Sequence, residues 1–158
     1  FCNHQVFMAL KREFHYIFDA KFQYPGIPKI NRYEISKKKF FIDEKIKVEP
    51  IEVMHYKLPV LGFKIDGFAY ITDAKTIDDS QKNKLNNLDV LVINALRIKE
   101  HMSHFNLEEA IELIKELKPK KAILTHISHF MGIHQEVQKK LPENIYLAYD
   151  GLKINLKQ

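Results

Sequence analysis

Cysteine is nearly missing from these 158 residues: Cys2 stands alone. One thiol cannot close an internal disulfide, which points to a reducing cytoplasm. Long apolar runs are missing too. No window approaches the roughly 20 apolar residues that a membrane-spanning helix needs, and no signal-peptide pattern opens the chain. A membrane partner is therefore set aside. There is no internal repeat, no low-complexity tract, and no RNP-type or zinc-finger motif that would mark a dedicated nucleic-acid module. Nucleic acid is accordingly not the favoured partner. Methionine is absent from the first position. The chain opens Phe1-Cys2-Asn3 and passes at once into a helical pattern, as a processed or truncated start would, or one chosen for expression.

What is present is ordinary for a globular protein. Hydrophobic residues make up 46% and charged residues 28%, and the length suits one domain, residues 1–158, with a real core. The net charge of +5 includes the patches Lys37-Lys38-Lys39 and Lys118 to Lys121. A solvated surface accounts for such an excess; an anionic, phosphate-bearing substrate is the sharper reading.

Asn3 is a plausible N-cap, and Val6, Phe7, Leu10, Phe14, Ile17 and Phe18 recur at helical spacing, predicting one helix that ends near Asp19. Tyr24-Pro25-Gly26-Ile27-Pro28 reads as a loop. Residues 33–70 turn to a β pattern. Pro50 there marks an edge or a bulge, and a hairpin turns near Asp66-Gly67. Val90-Leu91-Val92-Ile93 is a strand buried on both faces. Asn106 and Glu109 form a capping-box pattern before an amphipathic helix that Pro119 stops. Residues 121–127 form a strand, residues 134–141 a short helix, and residues 145–149 another strand. After a turn at Asp150-Gly151, a last strand runs to Leu156. Strand, helix, strand in this order predicts parallel neighbours and an α/β fold.

Three strands end in a residue that binds metals well. His55 closes Ile51-Glu52-Val53-Met54, Asp73 closes Phe68-Ala69-Tyr70-Ile71-Thr72, and His126 closes Ala122-Ile123-Leu124-Thr125. Alternation puts His55 in the row of Ile51 and Val53, Asp73 in that of Ala69 and Ile71, and His126 in that of Ala122 and Leu124. A titratable group ending an apolar row is where a rigid scaffold can hold a site at a sheet's rim. Imidazole nitrogen and carboxylate oxygen suit Zn²⁺, Mn²⁺ or Fe, which lower the pKa of bound water toward about 7 and supply hydroxide at neutral pH. Any one such histidine alone is more commonly a hydrogen-bonded structural residue, and spacing alone does not decide between the two.

The run Ala69-Tyr70-Ile71-Thr72-Asp73-Ala74-Lys75, the segment His101-Met102-Ser103-His104-Phe105, the run Leu124-Thr125-His126-Ile127-Ser128-His129 and the closing Asp150-Gly151 together resemble the metallo-β-lactamase superfamily. The similar branch contains the phosphoribosyl cyclic phosphate phosphodiesterases, relatives of the tRNA 3′-end-processing endonucleases, and the likeness extends over residues 1–156. It implies an αββα sandwich and two divalent metal ions, zinc or manganese. His55 would complete one metal site, Asp73 would bridge the two metals, and His126 would complete the second. His104 would contact the substrate phosphate or protonate the leaving group. Its 22-residue separation from His126 suits that role better than the position of His101 does. His129 reads as a helix-start residue or one that supports a ligand from behind, and Asp150-Gly151 as a hairpin turn rather than a ligand pair.

One departure is large. The family's His-x-His-x-Asp-His loop is absent from these residues, and His4 and His15 have the wrong spacing to replace it. In the family that loop precedes a segment resembling residues 1–18. The resemblance therefore implies an N-terminally truncated sandwich, with one histidine and a shared aspartate per metal, inactive by itself. Its uncovered sheet face invites a homodimer, a domain-swapped assembly or pairing with a missing N-terminal half. The function implied for the parent is a metal-dependent hydrolase, a phosphodiesterase taking a small cyclic or nucleotide-like phosphodiester. A tRNA 3′-end-processing activity and a non-catalytic binding or scaffold domain are the alternatives.

Overall fold

The structure is a computed structural model that describes residues 1–19, 21 and 25–156; Tyr24 of the expected loop lies outside the described residues. The strands are β1 (Phe40–Ile42), β2 (Ile46–His55), β3 (Leu58–Ile65), β4 (Phe68–Ile71), β5 (Val90–Asn94), β6 (Lys121–Thr125) and β7 (Ile145–Leu147). The helices are α1 (His4–Glu13), α2 (His15–Phe18), α3 (Asp79–Lys82), α4 (Leu107–Leu117) and α5 (His134–Gln138). The strands form one sheet in chain order, antiparallel from β1 to β4 and parallel from β4 to β7. That change follows from the connections. Antiparallel strands can share a tight turn, as β3 and β4 do at Asp66-Gly67 with Asp66 at φ 47°. Parallel strands need a crossover, and α3, α4 and α5 fall in the three that occur. Pro50 lies inside β2 without interrupting it, opposite Phe63 of β3, and β1 pairs only with residues 46–48. The proline therefore sits beyond the reach of β1, where no neighbour needs its missing N–H.

The larger core lies on one face of the sheet. Ile51, Val53, Ala69, Ile71, Leu91, Ile93, Ala122 and Leu124 belong to a single buried cluster with Ala110, Leu113, Ile114 and Leu117 of α4. All five residues of β5 are buried, the run Val90–Ile93 as its apolar character requires and the polar Asn94 with it. The capping box of α4 is complete: Asn106 Oδ1 accepts from the Glu109 N–H (2.8 Å) and Glu109 Oε2 accepts from the Asn106 N–H (2.9 Å). The helix stops at a left-handed Lys118, before Pro119.

Several expected elements are corrected. The opening helix is broken. Asn3 does cap α1, its Oδ1 accepting from the Val6 N–H at 2.8 Å, but Phe14 leaves helical geometry (φ −120°, ψ 44°) before α2. Neither helix buries a residue, and Val6 and Phe14 stay 49% and 45% exposed. Helices draw most of their stability from a buried face; this one has none, and beyond the break Phe18 packs edge-on against Phe7 instead, 5.5 Å between rings. The strand expected over residues 121–127 ends at Thr125, the helix expected over 134–141 ends at Gln138, and the strand expected over 145–149 ends at Leu147. No strand follows the turn at Asp150-Gly151 among the described residues. The edge of β7 is occupied by the Gln138 amide, which accepts from the Leu147 N–H (2.8 Å) and donates to the Ile145 carbonyl (3.2 Å). Leu152 and Ile154 turn instead onto the second face, over Val90, Val92 and Ile123.

An αββα sandwich has two sheets; the described residues supply one of them, with α4 on its larger core face. The opposite face is not bare as expected. Its middle is covered by residues 148–154, while Tyr70 and Tyr146 on either side remain 46% and 41% exposed. No helix is long and apolar enough to cross a membrane among the described residues.

Candidate metal centre

Strand direction brings the site together. β2 and β4 are each antiparallel to β3, so they run the same way, and β5 and β6 follow them in parallel. The carboxyl ends of all four therefore lie along one rim, the place where open α/β sheets bind ligands. His55 is the last residue of β2, Asp73 stands two residues past β4, and His126 stands one past β6. His126 adopts φ 58°, a left-handed conformation that turns the chain sharply as it leaves the strand. Such geometry costs an L-residue about 1–2 kcal/mol and collects at functional positions. His104 arrives from the loop between β5 and the α4 cap.

All four residues converge. His104 Nε2 lies 3.4 Å and His126 Nε2 3.8 Å from Asp73 Oδ1. The His104 ring stacks on His126 at 4.7 Å and meets His55 nearly edge-on at 4.5 Å. Ligand atoms of His55, Asp73 and His104 all fall within 4.8 Å of one another. His104 is thus the buried hub of the group, 8% exposed, with His126 on its open side. A cleft of about 280 Å³ opens beside His55 and Asp73, walled by Val53, Leu58, Val60 and Ile71.

The electrostatics follow from this crowding. Burial works to raise the Asp73 carboxyl. The Thr72 hydroxyl, donating to Oδ2 at 2.6 Å, and His104 and His126 outweigh it, so the net shift is downward. Burial lowers His104, its hydrogen bond to the Asp73 carboxylate opposes this, and the charges of His126 and His55 add to the lowering. His101 is lowered by burial, then by Arg97, Lys75 and His55.

The donor set fits a divalent cation: imidazole nitrogens and one carboxylate, of the kind that Zn²⁺ and Mn²⁺ accept. Three such donors and a water make one open site. Two four-coordinate sites sharing Asp73 would need more donors than the described residues bring here.

Sequence reasoning missed three residues at this rim. Ser103 Oγ lies 3.0 Å from His104 Nδ1, and His101, set aside in favour of His104, places its own Nδ1 3.3 Å from the same atom. Asn94, wholly buried, bonds the backbone of Ala74 beside Asp73. A polar residue ending the apolar run Val90–Ile93 was the signal for it. His129 begins a short 3₁₀ turn and is exposed, as read; Asp150-Gly151 is a turn, but among the described residues no strand follows to make it the expected hairpin. His4 and His15 lie on α1 and α2.

Known proteins share this fold. The family described as the beta-lactamase superfamily domain matches residues 1–127. A crystallised diphosphatase of the PhnP family is 31% identical and superposes with a TM-score of 0.87, covering 97% of this chain and 56% of that one. YhfI of Bacillus subtilis, a metallo-β-lactamase fold protein, is 19% identical at a TM-score of 0.65, covering 90% and 61%. Human tRNase Z, short form, is 21% identical at 0.58, covering 76% and 47%. A Porphyromonas gingivalis protein named octanoyltransferase is 36% identical over 154 residues, 97% of this chain and 31% of that protein. The chain thus spans about a third of that protein and little more than half of the diphosphatase.

Proposed function

The chain belongs to the beta-lactamase superfamily, in a metallo-β-lactamase branch like that of the PhnP family, and on that premise we propose that it carries part of the metal centre of a phosphodiesterase acting on a small cyclic or nucleotide-like phosphodiester. The observation that carries the reading is the meeting of His55, Asp73, His104 and His126 at one rim. Zinc or manganese ions, when bound, would polarise the phosphoryl group and activate water for its attack. His55 and His126 would hold one ion each and Asp73 would span the two.

The residues are in suitable states for this work. The lowered Asp73 carboxyl is anionic at neutral pH, as a ligand must be. His104, lowered, is neutral at neutral pH and turns Nε2 toward Asp73. That nitrogen would contact the substrate phosphate or, once protonated, deliver a proton to the departing oxygen. The net charge of +5 favours an anionic substrate, and the cleft of about 280 Å³ favours a small one. The diphosphatase likeness agrees with phosphate chemistry. The likeness to human tRNase Z carries the fold alone. The name octanoyltransferase belongs to a protein of which this chain spans 31%.

Asp73→Asn in the intact protein should abolish both metal content and hydrolysis of bis(p-nitrophenyl) phosphate; turnover equal to the unsubstituted protein would refute the assignment. The shortage of donors for two complete metal sites favours a second reading, a non-catalytic binding or scaffold domain. Metal analysis separates the two. Metal in the intact protein supports the enzyme, and metal in neither the intact protein nor the isolated chain supports the scaffold.

A further inference from the structure

Asn94 is the last residue of β5 and its side chain is fully buried. Both ends of its amide are spent on one residue: Oδ1 accepts from the Ala74 N–H at 3.0 Å and Nδ2 donates to the Ala74 carbonyl at 3.0 Å. Ala74 follows Asp73 directly. The β4–β5 ladder ends at the Ile71–Ile93 pair, so Ala74, itself wholly buried, has no strand neighbour to satisfy it there. The Asn94 amide does what a peptide group would have done. It lets the chain leave the sheet at Asp73 without stranding the buried Ala74 N–H, which costs about 1–3 kcal/mol when unpaired, and it supplies the Ala74 carbonyl with one of its two donors.

The same contact reaches every member of the site. The Ala74 carbonyl also accepts from the Phe105 N–H (2.8 Å), next to His104. The following residues bind the end of β2: Lys75 N–H donates to the Met54 carbonyl (2.7 Å) and Met54 N–H to the Thr76 carbonyl (2.9 Å), next to His55. On its other side Asn94 is in register with Thr125, and Ala95 N–H donates to the Thr125 carbonyl (3.0 Å), next to His126. Asp73, His104, His55 and His126 are each one residue from a network centred on Asn94.

We propose that Asn94 is the positioning residue that fixes the four site side chains relative to one another. The inference rests on the metal-centre reading for its consequence, and on the network alone for its geometry. Changing it should loosen all four groups together rather than merely weaken the fold.

The test compares Asn94→Leu, which removes both amide bonds, with Leu113→Ala, which opens a cavity in the same core from α4 and removes none of the network's hydrogen bonds. Imidazole ¹⁵N–¹H spectra are recorded on the metal-free protein, and zinc affinity is measured by calorimetry. In Asn94→Leu the ring signals of His55, His104 and His126 should shift or broaden and zinc affinity should fall about 10–100-fold, as for other residues that orient ligands; Leu113→Ala should leave both as they were. Should Asn94→Leu not fold, Asn94→Ser, whose hydroxyl is too short to span both Ala74 groups, carries the same comparison. Ring signals at their unsubstituted positions in the Asn94 variants, or equal shifts in Leu113→Ala, would overturn the proposal. Zinc uptake by the unsubstituted protein reports on the metal reading separately, because the metal-free spectra decide the role of Asn94 either way.

Discussion

His104 and His101 set the acid sensitivity of the metal-free protein. Both are held below the ordinary histidine value of 6.5, in each case mainly by burial. In the unfolded chain they titrate near that value, whereas in the folded chain they take up protons only at lower pH. Above about 6.5 both states are neutral and their contribution is constant. As pH falls through that value the unfolded state binds the extra protons, so stability drops until the folded histidines protonate as well. Asp73 adds a second loss further down. Its lowered carboxyl contributes stability above its ordinary 3.8 that disappears as acid protonates the folded form. The thermal midpoint of the metal-free protein should therefore fall between pH 7 and pH 5, and less steeply in His104→Gln. An equal slope in that variant would mean that the acid sensitivity arises elsewhere.

At the scale of elements, α4 offers the cleanest test, because its two ends are finished differently. Its start has a complete capping box, but its end is a lysine at φ 50°, a conformation that glycine adopts without steric cost. Lys118→Gly should stabilise the fold by about 0.5–1 kcal/mol, the relief of the left-handed geometry less the entropy of an added glycine. Thermal melts that show no gain, or a loss, would mean that the Lys118 stem packs usefully. The capping box was legible from Asn106 and Glu109 because its partners are local in sequence, and β5 was legible because its run Val90–Ile93 is apolar on both faces, as a strand buried on both sides favours. The site was legible for a related reason. Two-residue alternation ties His55, Asp73 and His126 to apolar rows that end at a common rim. What escaped depended on partners far along the chain. The break at Phe14 reflects a helix with no face to bury, which periodicity does not register. The lost final strand reflects an edge of β7 already taken by Gln138. Asn94, a polar end to an apolar run, carried a signal of its own, but nothing near it in sequence says that its amide is spent on Ala74.

For the whole molecule the decisive asymmetry is between the two faces of the sheet. One carries the main core under α4. The other carries the row Tyr70, Val92, Ile123 and Tyr146, each in register with the next across four strands. Val92 and Ile123 are 5% and 4% exposed only because the chain's own end, through Leu152 and Ile154, lies over them. Burial of this kind stabilises by about 25 cal/mol for each Å² of apolar surface withdrawn from water, and a carboxylate cannot stay in that position without a partner. Joint replacement of Leu152→Asp and Ile154→Asp should lift the segment, join the two exposed tyrosines to the newly bared residues, and leave an apolar strip that drives self-association. Sedimentation velocity and binding of an environment-sensitive dye should register both changes, with zinc uptake preserved because the metal rim lies at the carboxyl ends of the strands rather than on this face. A variant that sediments as the unsubstituted protein does and binds no additional dye would mean that the segment is ornamental, and that the second face tolerates water on its own.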